Sequence, residues 1–231
     1  MDYGLSVIIL MAAMVFTFIA QASVNSNFRK YSKVRNKRGL TGAEAARKIL
    51  NANGLHDVEI QRVGGSLSDH YDPRVRVLRL SETVYDVDSV AAVSVACHEV
   101  GHAIQHDTGY APLTIRNTIV PAVNFASRIS WILVIIGIGL LSTSYYMGDL
   151  LFNIGVIAFA AVIVFHAITL PVEFDASNRA LKEMEAYGII EAGETRGAKK
   201  VLTAAAMTYV AALAVALANL LRILALRGNR R

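Results

Sequence analysis

A single cysteine, Cys97, in 231 residues leaves no intramolecular disulfide and no CxxC metal site, and it fits a reducing compartment. Basic residues are missing ahead of the first apolar stretch, LSVIILMAAMVFTFIAQASV (5–24), which Asp2 precedes. A cleavable signal peptide carries positive charge there, so the small residues of AQA (20–22) are not read as a cleavage site. The stretch is instead expected to be a retained anchor with its N-terminus outside. No internal repeat or low-complexity segment is evident. No RNA- or DNA-binding motif accompanies the net charge of +5 and the pI near 9.4, so nucleic acid is not expected as a partner.

What the chain has in quantity is apolar surface. Hydrophobic residues make up 54% of it and the mean hydropathy is +0.43, which points to a lipid bilayer before any soluble class. A helical span takes about 20 apolar residues. Besides 5–24, the stretches ISWILVIIGIGLLSTSYYM (129–147) and LLFNIGVIAFAAVIVFHAITLPV (150–172) meet or approach that length. Little more than Gly148 and Asp149 separates them, so they read as a membrane hairpin. VLTAAAMTYVAALAVALANLL (201–221) is a fourth candidate, weaker because its alanines also suit packing against protein. The basic run RKYSKVRNKR (29–38) follows the first stretch directly, where positive-inside anchoring puts it. With Lys199 and Lys200 ahead of the last stretch, it assigns the intervening polar parts to the cytoplasmic side of the membrane. If 201–221 also spans, the arginines of RILALRGNRR (222–231) end outside, against that tendency.

Between the apolar stretches the patterns are local. TGAEAARKILNANGL (41–55) pairs Thr41 with Glu44 as a capping box and stops at Gly54, which predicts a short amphipathic helix. DVEIQRV (57–63) and RVRVLRLS (74–81) alternate and predict two strands, with LSDHYDP (67–73) as a polar turn between them. The second strand is a candidate edge for pairing with an extended substrate. A helix is expected from a cap at Asp86 or Asp88 to about His106. Residues 114–128 suggest an interfacial helix kinked at Pro121, and 173–200 is polar and helical in pattern as far as Tyr187.

The helix ending at His106 contains VACHEVGHAIQH (95–106). Residues four apart share a helix face about 6 Å apart along the axis, so His98 and His102 can converge on one ion. Glu99 then projects beside it as a base. This is the H-E-x-x-H arrangement of zinc peptidases, in which the metal activates water toward hydrolysis. Chance occurrence in a buried helix is the plain alternative. A catalytic zinc needs a third protein ligand. His106 lies a further turn along the helix, too far from His98, and Thr108 occupies the position where a metzincin would have its third histidine. LPVEFDASNRAL (170–181) offers Glu173, with Asp175 as a competitor. Two spans separate His102 from Glu173, and an even number returns the chain to the same side.

The segments DHYDP, VRVLRLS, HEVGHAIQH and LPVEFDASNRAL, in that order, resemble the neutral zinc metallopeptidases of bacterial membranes, often called YugP-like. The likeness covers nearly the whole chain. The pattern is also similar to the HtpX-like and CAAX prenyl endopeptidases, in which H-E-x-x-H is followed by a membrane hairpin and then by E-x-x-A-D, its glutamate the third ligand. Glu173 and Ala176 match that segment; Ser177 stands where it has aspartate. The resemblance implies zinc held by His98, His102 and Glu173, with Glu99 as the catalytic base. It leaves Ser177, Asp175 or a different group to orient a ligand histidine.

The expected fold class is mainly α and integral to the membrane, with helical spans and a small α+β zincin-like portion at the membrane surface. The expected divisions are an anchor (1–28), a membrane-surface part with the HEVGH helix (29–113), an interfacial segment and hairpin (114–172), a third-ligand helix (173–200), and a C-terminal hydrophobic helix with a basic tail (201–231). The expected activity is a zinc-dependent endopeptidase acting on protein or peptide substrates in or near the membrane. A non-cleaving, metal-stabilised scaffold or chaperone is the alternative, and the intact Glu99 counts against it. A zinc site within the bilayer is a third reading, opposed by Asp86, Asp88 and Asp107 around the helix. His70 and Tyr71 are candidate oxyanion donors, against a merely structural turn. His166 and Arg128, in or beside the hairpin, are candidates for a role in substrate access. Arg179 is a candidate for a substrate carboxylate or for pairing with Glu183. Cys97 reads as a small core residue.

Overall fold

The computed structural model describes residues 2–228; Arg230 and Arg231 of the basic tail lie outside them. The chain is mainly α-helical, in the order α1 (Tyr3–Tyr31), α2 (Gly42–Ala52), β1 (Glu59–Val63), β2 (His70–Asp72), β3 (Val77–Ser81), α3 (Val90–Asp107), α4 (Ala111–Leu140), α5 (Tyr145–Ala186) and α6 (Ala192–Gly228). Among the described residues, α1, α4, α5 and α6 are long and apolar enough to cross a membrane, as expected of an integral membrane protein. The residues fall into two units. One is formed by residues 1–19, 114–170 and 208–231, and the other by residues 20–113 and 171–207.

In the first unit the hairpin packs through small residues. A Cβ on Gly137 would meet the Phe152 backbone nitrogen at 2.5 Å, and one on Gly155 would meet the Ser130 carbonyl oxygen at 2.9 Å. Such contacts let two apolar helices approach where no hydrophobic force drives them together. Val134, Phe152, Phe159 and Ile223 form the buried cluster there. Arg227 is paired with Asp149, donates to Asn153 at 2.8 Å, and lies over the Phe152 ring, while Arg222 lies over Trp131. Neutralisation of Arg227 by Asp149 reduces the conflict between a spanning α6 and its basic end.

The second unit has a soluble-protein core. The capping box forms as expected: Thr41 Oγ1 accepts from the Glu44 N–H, and the Glu44 carboxylate accepts from the Thr41 N–H. Ala45, Ala46, Ile49 and Leu50 of α2 then face inward, and Gly54, at φ +75°, lets the chain turn out of the helix. The sheet has the order β1-β3-β2, with β1 parallel and β2 antiparallel to β3. This corrects two expectations. The polar turn at 67–73 contains strand β2, too short for its alternation to register in the sequence. β3 is the central strand rather than an edge, its Leu78 and Leu80 fully buried.

Helix α3 is capped by Ser89, whose Oγ accepts from the Ala92 N–H, and not by Asp86 or Asp88. Asp88 is instead ion-paired with Arg35, and Asp86 with Arg62. Nearly every side of α3 is buried, packed among Ile49, Leu80, Ala180, Met184 and Leu202. Cys97 is fully buried, as expected, and burial pushes its thiol far up from the ordinary value. The turn between α4 and α5 falls at 141–144 and not at Gly148 and Asp149, which lie in α5. The remaining differences concern continuity. No separate interfacial helix exists at 114–128, because α4 runs on through Pro121, and α5 continues unbroken through Pro171 into the polar segment that holds Glu173.

Candidate metal centre

The HEVGH residues lie in the middle of α3, and Glu173 reaches them from α5, within one unit of the fold. His98 Nε2 is 3.3 Å and His102 Nε2 3.6 Å from Glu173 Oε2. The candidate ligand atoms of the three residues all lie within 4.8 Å of one another. The two imidazoles are set nearly edge to face, with ring centroids 4.8 Å apart and planes at 80°.

Hydrogen bonds fix which ring atoms turn inward. Gln105 Nε2 donates at 2.8 Å to both the Val172 carbonyl oxygen and Asp175 Oδ2, which leaves Gln105 Oε1 as the acceptor 3.0 Å from His102 Nδ1. His102 therefore carries its proton on Nδ1, and its Nε2 presents a lone pair to Glu173. His98 Nδ1 lies 3.2 Å from Ser177 Oγ, which turns its Nε2 toward the same carboxylate. Two imidazole nitrogens and a carboxylate that is only 3% exposed thus converge, an arrangement suited to holding a cation among them. Ligand atoms about 2.0–2.1 Å from a tetrahedral zinc are about 3.3 Å apart, close to the two separations from Glu173 Oε2. Two imidazoles and one carboxylate also suit zinc by donor type.

Glu99 projects from the same helix toward the sheet. Its Oε2 accepts from the backbone N–H of Tyr71 at 3.0 Å. β2 pairs with β3 on its other side, so its outward edge faces this carboxylate. Asp69, in the loop before β2, accepts from the backbone N–H and hydroxyl of Ser81. Burial, with a smaller contribution from the charge on Glu99, pushes its carboxyl up from the ordinary value against those hydrogen bonds.

The other sequence candidates are placed as follows. His106 joins its Nδ1 to the Tyr71 hydroxyl at 3.0 Å and stands outside the cluster. His70 is exposed, with Nδ1 at the Ser68 carbonyl oxygen. Arg179 pairs with Asp175 at 2.6 Å rather than with Glu183, which accepts instead from Asn53. Asp175 stands outside the cluster of candidate ligands, with Gln105 between it and His102. Ser177 is where the resemblance left room for an orienting group. Gln105 escaped the sequence reading, although its place three residues after His102 on one helix face was a usable signal. His166 belongs to the first unit and its ring contacts Phe165.

If His98 and His102 are oriented in this way, Gln105→Ala or Ser177→Ala lowers zinc affinity by about 10–100-fold, whereas His106→Ala leaves it within a few-fold. Competition with a fluorescent zinc chelator measures all three.

Long apolar helices and a His-Glu-x-x-His helix facing a distant glutamate define a membrane protein of the zinc metallopeptidase type. The chain belongs to the family described as "Putative neutral zinc metallopeptidase", whose model matches residues 6–228. It is 49% identical over 227 residues to the "Putative membrane protease YugP" of Bacillus subtilis (strain 168), covering 98% of each chain. No solved structure matches.

Proposed function

We propose that this protein is a zinc-dependent endopeptidase of the bacterial cell membrane, with its active site facing the cytoplasm, that cleaves membrane proteins or chains near the membrane surface. The observation that carries this reading is the convergence of His98 Nε2, His102 Nε2 and the buried Glu173 carboxylate, with the far ring nitrogens held by Gln105 and Ser177.

When bound there, zinc supplies Lewis acidity toward a water molecule and toward the scissile carbonyl. Glu99 takes the proton of the attacking water and returns it to the leaving amine nitrogen, so the carboxylate ends the cycle as it began. The Tyr71 N–H holds Glu99 in place before substrate arrives. β2 offers its outward edge to an extended substrate, whose backbone would add to the sheet beside Glu99. The basic run that begins in the last turn of α1 and the lysines early in α6 support a cytoplasmic site. Tethering to apolar helices supports substrates within reach of the bilayer.

The test is reversible metal dependence in the detergent-purified full-length protein. Cleavage of an unfolded protein substrate is expected to stop on zinc chelation and to return with one equivalent of zinc. Cleavage that survives complete zinc removal would contradict the reading.

A further inference from the structure

A second site lies away from Glu99, where α1 and α6 run side by side within the second unit. The two helices approach closely at Gly197, where an added Cβ would meet the Tyr31 ring at 2.7 Å. Moving back along α1 and forward along α6, they enclose a groove of about 730 Å³. Arg196, Lys199 and Lys200 line it from α6, with Ser23 and Asn27 facing them from α1. Further along α6 its lining becomes apolar, with buried Ala204 and half-buried Met207.

Three features give the groove a direction and a charge. Residues 196–207 of α6 cover about 16 Å at helical rise, with cations at one end and apolar side chains at the other. On α1 the groove residues fall where the apolar stretch 5–24 gives way to RKYSKVRNKR, and on α6 where the lysines give way to the apolar stretch 201–221. These are the levels at which helices pass lipid headgroups. Among the described residues, none of the ion pairs involves Arg196, Lys199 or Lys200, all of which are exposed. The Asn27 amide donates to the Ser23 carbonyl and hydroxyl oxygens, which leaves the Ser23 hydroxyl proton able to donate to an anion.

We infer that this groove binds one anionic phospholipid, its phosphate against Arg196, Lys199, Lys200 and Ser23 and the start of an acyl chain along Ala204 and Met207. Three basic groups around one phosphate at a bilayer surface favour anionic over zwitterionic lipid, whose own cation they repel. The apolar end distinguishes a lipid from a free anion, which would gain nothing there. The lipid would link α1 to α6 at the level where both leave the polar unit. This inference is independent of peptidase activity.

The test is native mass spectrometry of the full-length protein released from micelles holding equal phosphatidylglycerol and phosphatidylcholine. The wild type is expected to retain one phosphatidylglycerol in preference to phosphatidylcholine. The triple variant Arg196→Gln, Lys199→Gln, Lys200→Gln should weaken retention roughly 10- to 100-fold. The charge-matched triple Arg29→Gln, Lys30→Gln, Lys33→Gln, in the basic run outside the groove, should keep it. Thr203 also lines the groove, and Thr203→Trp fills it without changing charge and should also expel the lipid, so the result does not depend on one variant's stability. Equal loss in both triples would mean diffuse charge attraction and overturn the site. So would retention by Thr203→Trp, no phosphatidylglycerol preference in the wild type, or displacement of the lipid by millimolar inorganic phosphate.

Discussion

Glu99→Gln is expected to lower kcat/KM for an unfolded protein substrate by about 10³-fold or more while leaving the zinc content at the wild-type level. Proton transfer by a positioned side chain contributes about 10²–10⁴-fold, and an amide cannot accept the proton. Structure is not expected to confound the result. Gln has the same shape, and its carbonyl oxygen can still accept from the Tyr71 N–H as Glu99 Oε2 does at 3.0 Å. Glu99 also lies outside the cluster of candidate ligands, so zinc has no direct reason to leave. The two readouts separate the possible roles. Lost cleavage with zinc retained assigns Glu99 the base; lost zinc would make it a ligand or a structural support. Cleavage within about tenfold of wild type would mean that another group takes the proton.

The second large effect is expected from the glycine inside HEVGH. Gly101→Ala should be favourable by helix propensity alone, by about 1 kcal/mol. Packing reverses the sign. A Cβ at Gly101 would meet the Ala176 carbonyl oxygen at 2.5 Å and the Ala176 carbonyl carbon and Cα at 3.1 Å. All three are backbone atoms of α5, so no side chain can swing aside. Restoring a contact of roughly 3.5 Å moves the helices apart by about 1 Å. His98 and His102 ride on one of these helices and Glu173 and Ser177 on the other, so the same movement opens the cluster. Overpacking costs about 1–3 kcal/mol, and a 1 Å misplacement of catalytic groups costs about 10²-fold in rate. A lower unfolding temperature together with weakened zinc binding is therefore expected. An unchanged or higher unfolding temperature would mean that α3 and α5 are not in backbone contact at this point.

The parts of this protein legible in its sequence are those set by local chemistry. The apolar stretches at 5–24, 150–172 and 201–221 fall within α1, α5 and α6, and most of 129–147 within α4, because length and apolarity decide membrane competence residue by residue; the turn at 141–144 was missed because the apolar run continues through it. The Thr41–Glu44 box worked because both partners lie within four residues. The Ser89 cap was displaced to aspartates nearby, since Asp86 and Asp88 have equal intrinsic capping ability but are held by Arg62 and Arg35. Strand β2 was lost because three residues leave no periodicity to read, and the centrality of β3 depended on finding it. Glu173 came from span counting and from the resemblance at LPVEFDASNRAL. The link Asp175–Gln105–His102 was out of reach, because it depends on the register between α3 and α5. Only packing sets that register.

The most direct test of the central claim is zinc K-edge X-ray absorption on the freshly purified full-length protein, with metal content measured in parallel on His98→Ala and Glu173→Ala. The account predicts one zinc per chain in a shell of nitrogen and oxygen at about 2.0–2.2 Å with no sulfur, and loss of that zinc from both variants. A wild type without zinc, or variants that keep the wild-type amount, would contradict it.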